Sequence, residues 1–147
     1  MIKRIVVPVD FSEHSTRAAR YAVEELAPAL GAEVVFVTVL EVSDLRVAMS
    51  HGLHGFETDQ DVHRMVQEWI EKQFTKIESA GGSVKASRDI RRGDPEREIV
   101  EAIREHRADI VVMGTHGMGK RDPIGSKAEF VLVHGRVPVM FIGGSEK

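Results

Sequence analysis

The chain alternates between short apolar runs and longer stretches in which apolar residues recur every three or four positions. The short runs predict five strands, and the first two are rich in β-branched residues, which is typical of parallel strands covered on both faces. Pro8 cannot donate a ladder hydrogen bond, so we place it at the carboxyl end of its strand. The third strand is polar, which favours a sheet edge. The predicted strands are Ile2–Val9, Glu33–Leu40, Val84–Ile90, Asp109–Met113 and Val137–Ile142.

Helical periodicity fills most of the gaps between these strands. The first helix is expected to begin after the N-cap Ser12 and to end before Gly31, with Pro28 fraying or bending its last turn. Met65, Trp69 and Phe74 share one face of the helix predicted over Asp61–Ser79, and we expect them to lie in the core. The later helices are predicted over Asp61–Ser79, from the Asp94 cap and Pro95 through Ile103, and over Ser126–His134 before Gly135.

Strands that alternate with helices predict a single α/β domain over residues 1–147. The expected architecture is a doubly wound, mainly parallel five-stranded sheet with helices on both faces. Right-handed crossovers, with a second half that restarts beside the first strand, give the strand order 3-2-1-4-5. The carboxyl ends of strands one and four are then neighbours, and ligands of open α/β sheets bind at this switch point. Val9 and Asp10 are therefore expected to face Gly114–Gly117.

Composition narrows the class of protein. The chain has 147 residues with 20 basic and 23 acidic side chains, a net charge of −3 that does not favour a nucleic-acid partner. No apolar run approaches the roughly 18 residues of a membrane span, and no signal peptide is recognisable, so a membrane partner is not expected. The absence of cysteine excludes disulfides and thiolate metal sites. These features predict a cytoplasmic protein.

Between Met113 and Ser126 the fourth strand passes to the last helix through a glycine-rich loop. Glycine lets a backbone approach a phosphate closely, and the N–H groups at the start of a helix attract anions. The same residues also have a purely structural explanation. Gly114 and Gly117 would suit a tight turn at the end of the strand. Ser126 and Glu129 match a capping box at the start of the helix. Lys127 favours an anion, because a cation in the first turn opposes the helix macrodipole.

The chain resembles the universal stress protein family over essentially its whole length. The resemblance lies in Ile5-Val-Val-Pro-Val-Asp10-Phe-Ser-Glu-His-Ser, in Thr38-Val-Leu40, in Gly93-Asp-Pro95, in Ala108-Asp-Ile-Val-Val-Met-Gly114-Thr-His-Gly117, in Gly125-Ser126 and in Val137-Pro-Val139. It implies the doubly wound fold, a homodimer, and in nucleotide-binding members a site for ATP formed by Gly-x2-Gly-x9-Gly-Ser/Thr. We expect the dimer contact at the last strand, Val137–Ile142, because Pro138 indicates that one edge of this strand is not paired within the sheet.

Carried over to this sequence, the family motif implies a nucleotide site. Asp10 would border the adenine with Val9 and Val39, while Gly114 would lie by the ribose. Gly117 would lie by the phosphates, and the start of the last helix would hold the phosphate tail. The cofactor implied is ATP, with the presence of Mg²⁺ left open. The full set of expected binding residues is Pro8, Val9, Asp10, Val39, Met113, Gly114, His116, Gly117, Gly119, Gly125, Ser126 and Lys127.

The sequence departs from the family pattern inside this loop. Seven residues, Met118–Ile124, separate Gly117 from Gly125 where the motif has nine. Gly119 and the charges of Lys120, Arg121 and Lys127 offer compensation. The alternative is a family member that has lost nucleotide binding and acts as a dimeric interaction protein.

An enzyme is not expected, although slow incidental ATP hydrolysis stays open. The chain has no Gly-x4-Gly-Lys-Ser/Thr loop and no recognisable acid–base or nucleophile pair. His51, His54 and His63 are interpreted as solvated rather than as metal ligands. His116 is interpreted as positional rather than as a general base. Glu41–Gln60 is predicted to be a loop.

Overall fold

The computed structural model describes residues 1–41, 59–115 and 124–143, and for residues 59–63 it describes the backbone alone. Its strands are β1 (Arg4–Pro8), β2 (Glu33–Leu40), β3 (Ala86–Arg92), β4 (Ile110–Gly114) and β5 (Val139–Ile142). They form one parallel sheet in the order β3-β2-β1-β4-β5. The predicted fold class and strand order are confirmed.

The ends of four strands differ from their predicted positions by one or two residues, whereas β2 matches its prediction. Pro8 is the last residue of β1, as expected for a residue without an N–H. The start of β3 is delayed by a turn, in which the Val84 N–H donates to the Gly81 carbonyl at 3.2 Å. The start of β5 moves from Val137 to Val139, because Arg136 has a left-handed φ of 56° and Pro138, directly before the strand, has no N–H.

The helices of the described residues surround the sheet. They are α1 (Glu13–Tyr21), α2 (Ala27–Leu30), α3 (Asp59–Ala80), α4 (Pro95–Glu105) and α5 (Ser126–His134). On one face, side chains of α1 and α3 bury Ile5, Val7 and Phe36. On the other, α4 and α5 bury Val6, Val35 and Val111. Neighbouring residues of β1 therefore belong to opposite core layers, which explains its continuous run of apolar side chains.

The first helical stretch begins as predicted but is interrupted before its end. Ser12 is the N-cap, and its hydroxyl accepts from the Ser15 N–H at 3.2 Å. A π-helical turn over Ala22–Leu26 separates α1 from α2, so the disturbance lies one turn earlier than predicted from Pro28. Because Pro28 has no N–H and its ring crowds the preceding turn, the backbone widens there. Gly31 ends α2 with a left-handed φ of 62°, as predicted.

The structure confirms the positions of two predicted helix caps and corrects a third. Asp94 occupies the N-cap position of α4, but its side chain makes no cap hydrogen bond and lies 3.8 Å from Arg97. The capping box of Ser126 and Glu129 is wrong, because Gly125 is the N-cap of α5 and Ser126 is already helical. Gly135 does end α5, but with a right-handed φ of −70°; glycine is needed there because a β-carbon would lie 2.7 Å from the Val131 carbonyl oxygen.

One predicted core residue lies at the surface. Phe74 is fully buried, whereas Trp69 is 50% exposed and Met65 is partly buried. Trp69 packs edge-on against Phe11, with ring centroids 5.2 Å apart, so part of its indole covers the chain just after β1. Helical spacing identified the correct stripe of α3, but it could not show where the core ends along that stripe.

Candidate functional site

The carboxyl edge of the sheet opens between β1 and β4. Their registered pairing covers only two residue pairs, Ile5 with Ile110 and Val6 with Val111, although β1 continues to Pro8 and β4 to Gly114. By contrast, β1 pairs with β2 along its whole length. The registered pairs therefore end before the two strands do, at the switch point where open α/β sheets bind ligands. The region beyond them, between Asp10 and the exit of β4, is called the crevice below.

Asp10 is held rigidly at the exit of β1. Its Oδ1 accepts hydrogen bonds from the Ser12 N–H at 2.9 Å and from the Ser15 hydroxyl at 2.7 Å. Burial opposes ionisation of this carboxyl group, but the bonds from Ser12 and Ser15 and the positive charge of Lys127 together lower its pKa. Asp10 is therefore ionised at neutral pH, and Ser12 rather than Asp10 caps α1.

Gly114 lies where β4 meets the first turn of α1. A β-carbon at this position would lie 2.8 Å from the Cβ and from the main-chain carbonyl C and O of His14. Real β-carbons do not approach other atoms so closely, so glycine is required for the packing of β4 on α1. This contact gives physical support to the structural explanation that the sequence left open for this glycine.

The start of α5 has no side-chain cap from its N-cap residue. The Gly125 N–H donates to the Thr115 carbonyl at 2.7 Å, which joins the two ends of the glycine loop. Gly125 is the N-cap of α5 and has no side chain, so the first-turn N–H groups of this helix receive no bond from an N-cap side chain. Ser126 is exposed and Lys127 is partly buried. The charge of Lys127 contributes to the lowered pKa of Asp10, so this lysine brings positive charge near that carboxylate.

Several of the predicted adenine and ribose neighbours offer little surface. Pro8 is buried, and Val9 and Met113 are 3% and 5% exposed. Val9 packs with the α1 and α3 core layer, whereas Met113 packs with the α4 and α5 layer. Val39, near the end of β2, is partly exposed. Of these four residues, only Val39 therefore presents accessible apolar surface.

The structure brings Lys127 near enough to act on the charge of Asp10 and joins Gly125 to Thr115, the residue after β4. That Asp10, Gly114, Gly125 and Lys127 bind a ligand stays a prediction. His116, Gly117, Gly119 and the shortened part of the loop lie outside the described residues, as do His51, His54 and most of Glu41–Gln60. Predictions about them stay predictions. Within 1–41, 59–115 and 124–143, no three His, Asp or Glu side chains are grouped as a metal site would require. No helix in those ranges is long and apolar enough to cross a bilayer.

Ser15 is a site residue that the sequence reasoning missed. It is 6% exposed and contacts the Asp10 carboxylate directly. A signal was present: with Ser12 as N-cap, Ser15 is the third residue of the helix, whose side chain reaches back toward the cap. Glutamate or glutamine is the usual residue in that position, so the shorter serine was not recognised.

Comparisons with known proteins identify the family of this chain. The family model of the universal stress protein family matches residues 1–143. A universal stress protein of Methanocaldococcus jannaschii is 30% identical over 159 aligned residues, which cover 100% of this chain and 85% of the relative. The chain belongs to the universal stress protein family.

Solved structures agree with the fold. A universal stress protein from Lactobacillus plantarum superimposes with a TM-score of 0.72 at 21% identity, covering 96% of this chain and 97% of that one. A universal stress protein family protein from Arabidopsis thaliana, with AMP bound, gives a TM-score of 0.65 at 17% identity, covering 98% and 93%. At these identities the likeness establishes the shared fold alone.

Proposed function

We propose that this chain is a single-domain stress-response regulatory protein that binds an adenine nucleotide in the crevice between β1 and β4. The observation that carries the proposal is the presence of opposite charges near the carboxyl ends of β1 and β4, where the charge of Lys127 acts on the Asp10 carboxylate. Asp10, ionised and held in one orientation, lies at the exit of β1, and Lys127 lies at the start of α5. A nucleotide matches this arrangement, because its base carries an amine and its phosphates carry negative charge.

In this proposal the base lies over Val39, with Pro8 and Val9 beneath it, and its amine donates to Asp10. The ribose lies along Met113 and Gly114. The phosphates accept from first-turn N–H groups of α5, because the Gly125 N–H is already bonded to Thr115. The remaining residues of the proposed phosphate site are Ser126, Lys127, His116, Gly117 and Gly119.

The proposed ligand is ATP, alone or with Mg²⁺, and the proposed role is regulatory rather than catalytic. The Arabidopsis relative with AMP bound supports an adenine nucleotide as the class of ligand. A phosphate chain would bring Mg²⁺ with it, since this ion is commonly held by substrate phosphates and few protein ligands.

Calorimetric titration with ATP and AMP, each with and without Mg²⁺, tests the proposal. We expect wild-type protein to bind ATP, and Lys127→Met to weaken ATP binding about tenfold, the size of one hydrogen bond to a charged group. AMP binding should fall less, since it has fewer phosphate charges. The matched control is Lys76→Met, which removes an exposed lysine of α3 and should leave both affinities unchanged.

A second candidate is a family member without nucleotide binding that acts as a dimeric interaction protein. It is favoured by the structural reasons found for two motif glycines: Gly114 makes room for His14, and Gly125 fastens the loop through Thr115. The same titrations decide between the two functions. Binding of AMP equal to that of ATP would locate a defect in the shortened loop, and no heat with either nucleotide would support this second function.

We also propose that the protein forms a homodimer through β5. The other sheet edge, β3, carries charged residues held in ion pairs, such as Arg88 with Glu78 at 2.8 Å. The residues of β5 are uncharged and partly exposed, so this edge lacks the charges that discourage strand pairing. Since the Val111 N–H donates to the Pro138 carbonyl at 2.9 Å, the N–H of the next residue, Val139, faces away from β4.

Val139→Pro is the sharpest test of the dimer. A charged side chain at this position would also disturb folding, because Val139 packs against the core layer of α4 and α5. Proline removes the outward N–H while leaving the bonds to β4 in place, so sedimentation velocity should show a monomer. Val139→Ala is the control that shortens the side chain and keeps the N–H. A Val139→Pro protein that stays dimeric would exclude β5 from the interface.

A further inference from the structure

We infer that Ser15 is a positioning residue, which orients the Asp10 carboxylate so that the crevice selects a purine with a 6-amino group over one with a 6-oxo group. The inference deepens the proposed function and rests on it. It concerns a residue for which the sequence suggested no role.

The Ser15 hydroxyl contacts both the main chain and the side chain of Asp10. It donates to Asp10 Oδ1 at 2.7 Å, and it accepts from the Asp10 N–H at 3.2 Å. It also accepts from the Ser12 hydroxyl at 3.3 Å, and a second acceptor for its own proton, the Ser12 carbonyl oxygen, lies at 3.3 Å. A hydroxyl has one proton, and the much shorter contact identifies the Asp10 carboxylate as its acceptor.

This arrangement restricts what Asp10 can recognise. Ser15 is buried and belongs to the first turn of α1, so its position is set by the helix and not by the ligand. Together with the Ser12 N–H it fixes Oδ1 of the carboxylate. An ionised carboxylate only accepts hydrogen bonds, so it pairs with the 6-amino group of adenine. The 6-oxo group of hypoxanthine is also an acceptor and is repelled.

The first arm of the test compares ATP with ITP by calorimetry. Wild type should prefer ATP, and Ser15→Ala should reduce the ATP/ITP affinity ratio about tenfold, as expected for a lost hydrogen bond to a charged group. Ser15→Thr keeps the hydroxyl and should restore most of the ratio. The control Ser79→Ala removes an exposed serine hydroxyl on α3, bonded to the Lys76 carbonyl at 2.9 Å, and should leave the ratio unchanged.

The second arm needs no ligand. Carboxyl NMR titration should give a higher pKa for Asp10 in Ser15→Ala than in wild type, because a donor to the ionised form is lost. This pKa also determines how the stability contributed by Asp10 depends on pH. Asp10 contributes stability above the unfolded pKa, near 4, and loses it as pH falls through the lower folded pKa, so this acid-sensitive contribution shrinks in Ser15→Ala. Lys127 is the charged group on another described element that acts on Asp10, so each titration is repeated in Lys127→Met.

The outcomes separate the inference from the proposed function. If wild type binds neither nucleotide, the proposed function fails and the inference fails with it. If wild type binds both equally, or if Ser15→Ala keeps the wild-type ratio and the wild-type Asp10 pKa, the inference alone is overturned. Asp10→Asn gives an independent check should Ser15→Ala fold poorly: the amide can donate to a 6-oxo group, so the preference should shift toward ITP.

Discussion

Two helices begin at the crevice, and their first turns are built differently. The first turn of α1 is capped by the Ser12 side chain, which accepts from the Ser15 N–H, and Thr16 N–H donates to the Ser12 carbonyl at 3.0 Å. The first turn of α5 begins at Gly125, which has no side chain to cap it. A capped helix uses its donors internally, whereas an uncapped one keeps them for an anion.

The difference assigns distinct roles to the two sides of the crevice. At α1 the side chains of Asp10, Ser12 and Ser15 satisfy one another, which produces a fixed acceptor. At α5 the main-chain donors and Lys127 produce a positive region. The same fold element, a helix after a parallel strand, is thus built in two ways; in the proposed function, the first would bind the base and the second the phosphates.

The largest predicted effect comes from Gly114→Val, which disrupts the contact between β4 and the first turn of α1. The new side chain would collide with the main chain of His14, and we expect the free energy of unfolding to fall by about 3 kcal/mol or the protein to stay unfolded. Urea unfolding measures the change. Gly143→Val is the control, because nothing lies within 4 Å of a β-carbon there. Equal stability of the two variants would contradict the close packing of β4 on α1.

Removal of the α1 cap should have an intermediate effect. Ser12→Ala deletes the acceptor for the Ser15 N–H, and loss of an N-cap side chain typically costs about 1 kcal/mol. Thermal and urea unfolding should both show the loss. Ser83→Ala, a substitution in the turn before β3, serves as a comparison and should change stability little. A Ser12→Ala protein as stable as wild type would remove the distinction between the two helix starts.

The reverse experiment adds a cap to α5 and should have the smallest effect on stability. The backbone of Gly125, with φ −67° and ψ 159°, suits a serine N-cap. Gly125→Ser should stabilise the protein by only a few tenths of a kcal/mol, since glycine is itself a tolerated cap. Nucleotide affinity measured by calorimetry should nevertheless fall, because the serine hydroxyl competes for the donors proposed to bind phosphate. Unchanged affinity would show that phosphate does not use them.

Much of this architecture could be read from the chain. Alternating buried runs and helical periods predicted the sheet order, and the turn residues Ser12 and Gly31 predicted where the first helical stretch begins and ends. These features are local, so a short segment contains the information. The juxtaposition of Asp10 with the exit of β4 also followed, since strand order alone decides which strand ends are neighbours.

Other features depend on contacts between segments far apart in the chain, and only the tertiary structure decided them. Trp69 fits a core stripe, but it lies at the surface because the core ends beneath it at Phe11 and Phe74. Gly114 fits a phosphate loop, but its lack of a side chain is first required by the approach of His14, a hundred residues earlier. Patterns along a sequence show which residues permit close approach, whereas packing in three dimensions determines what approaches them.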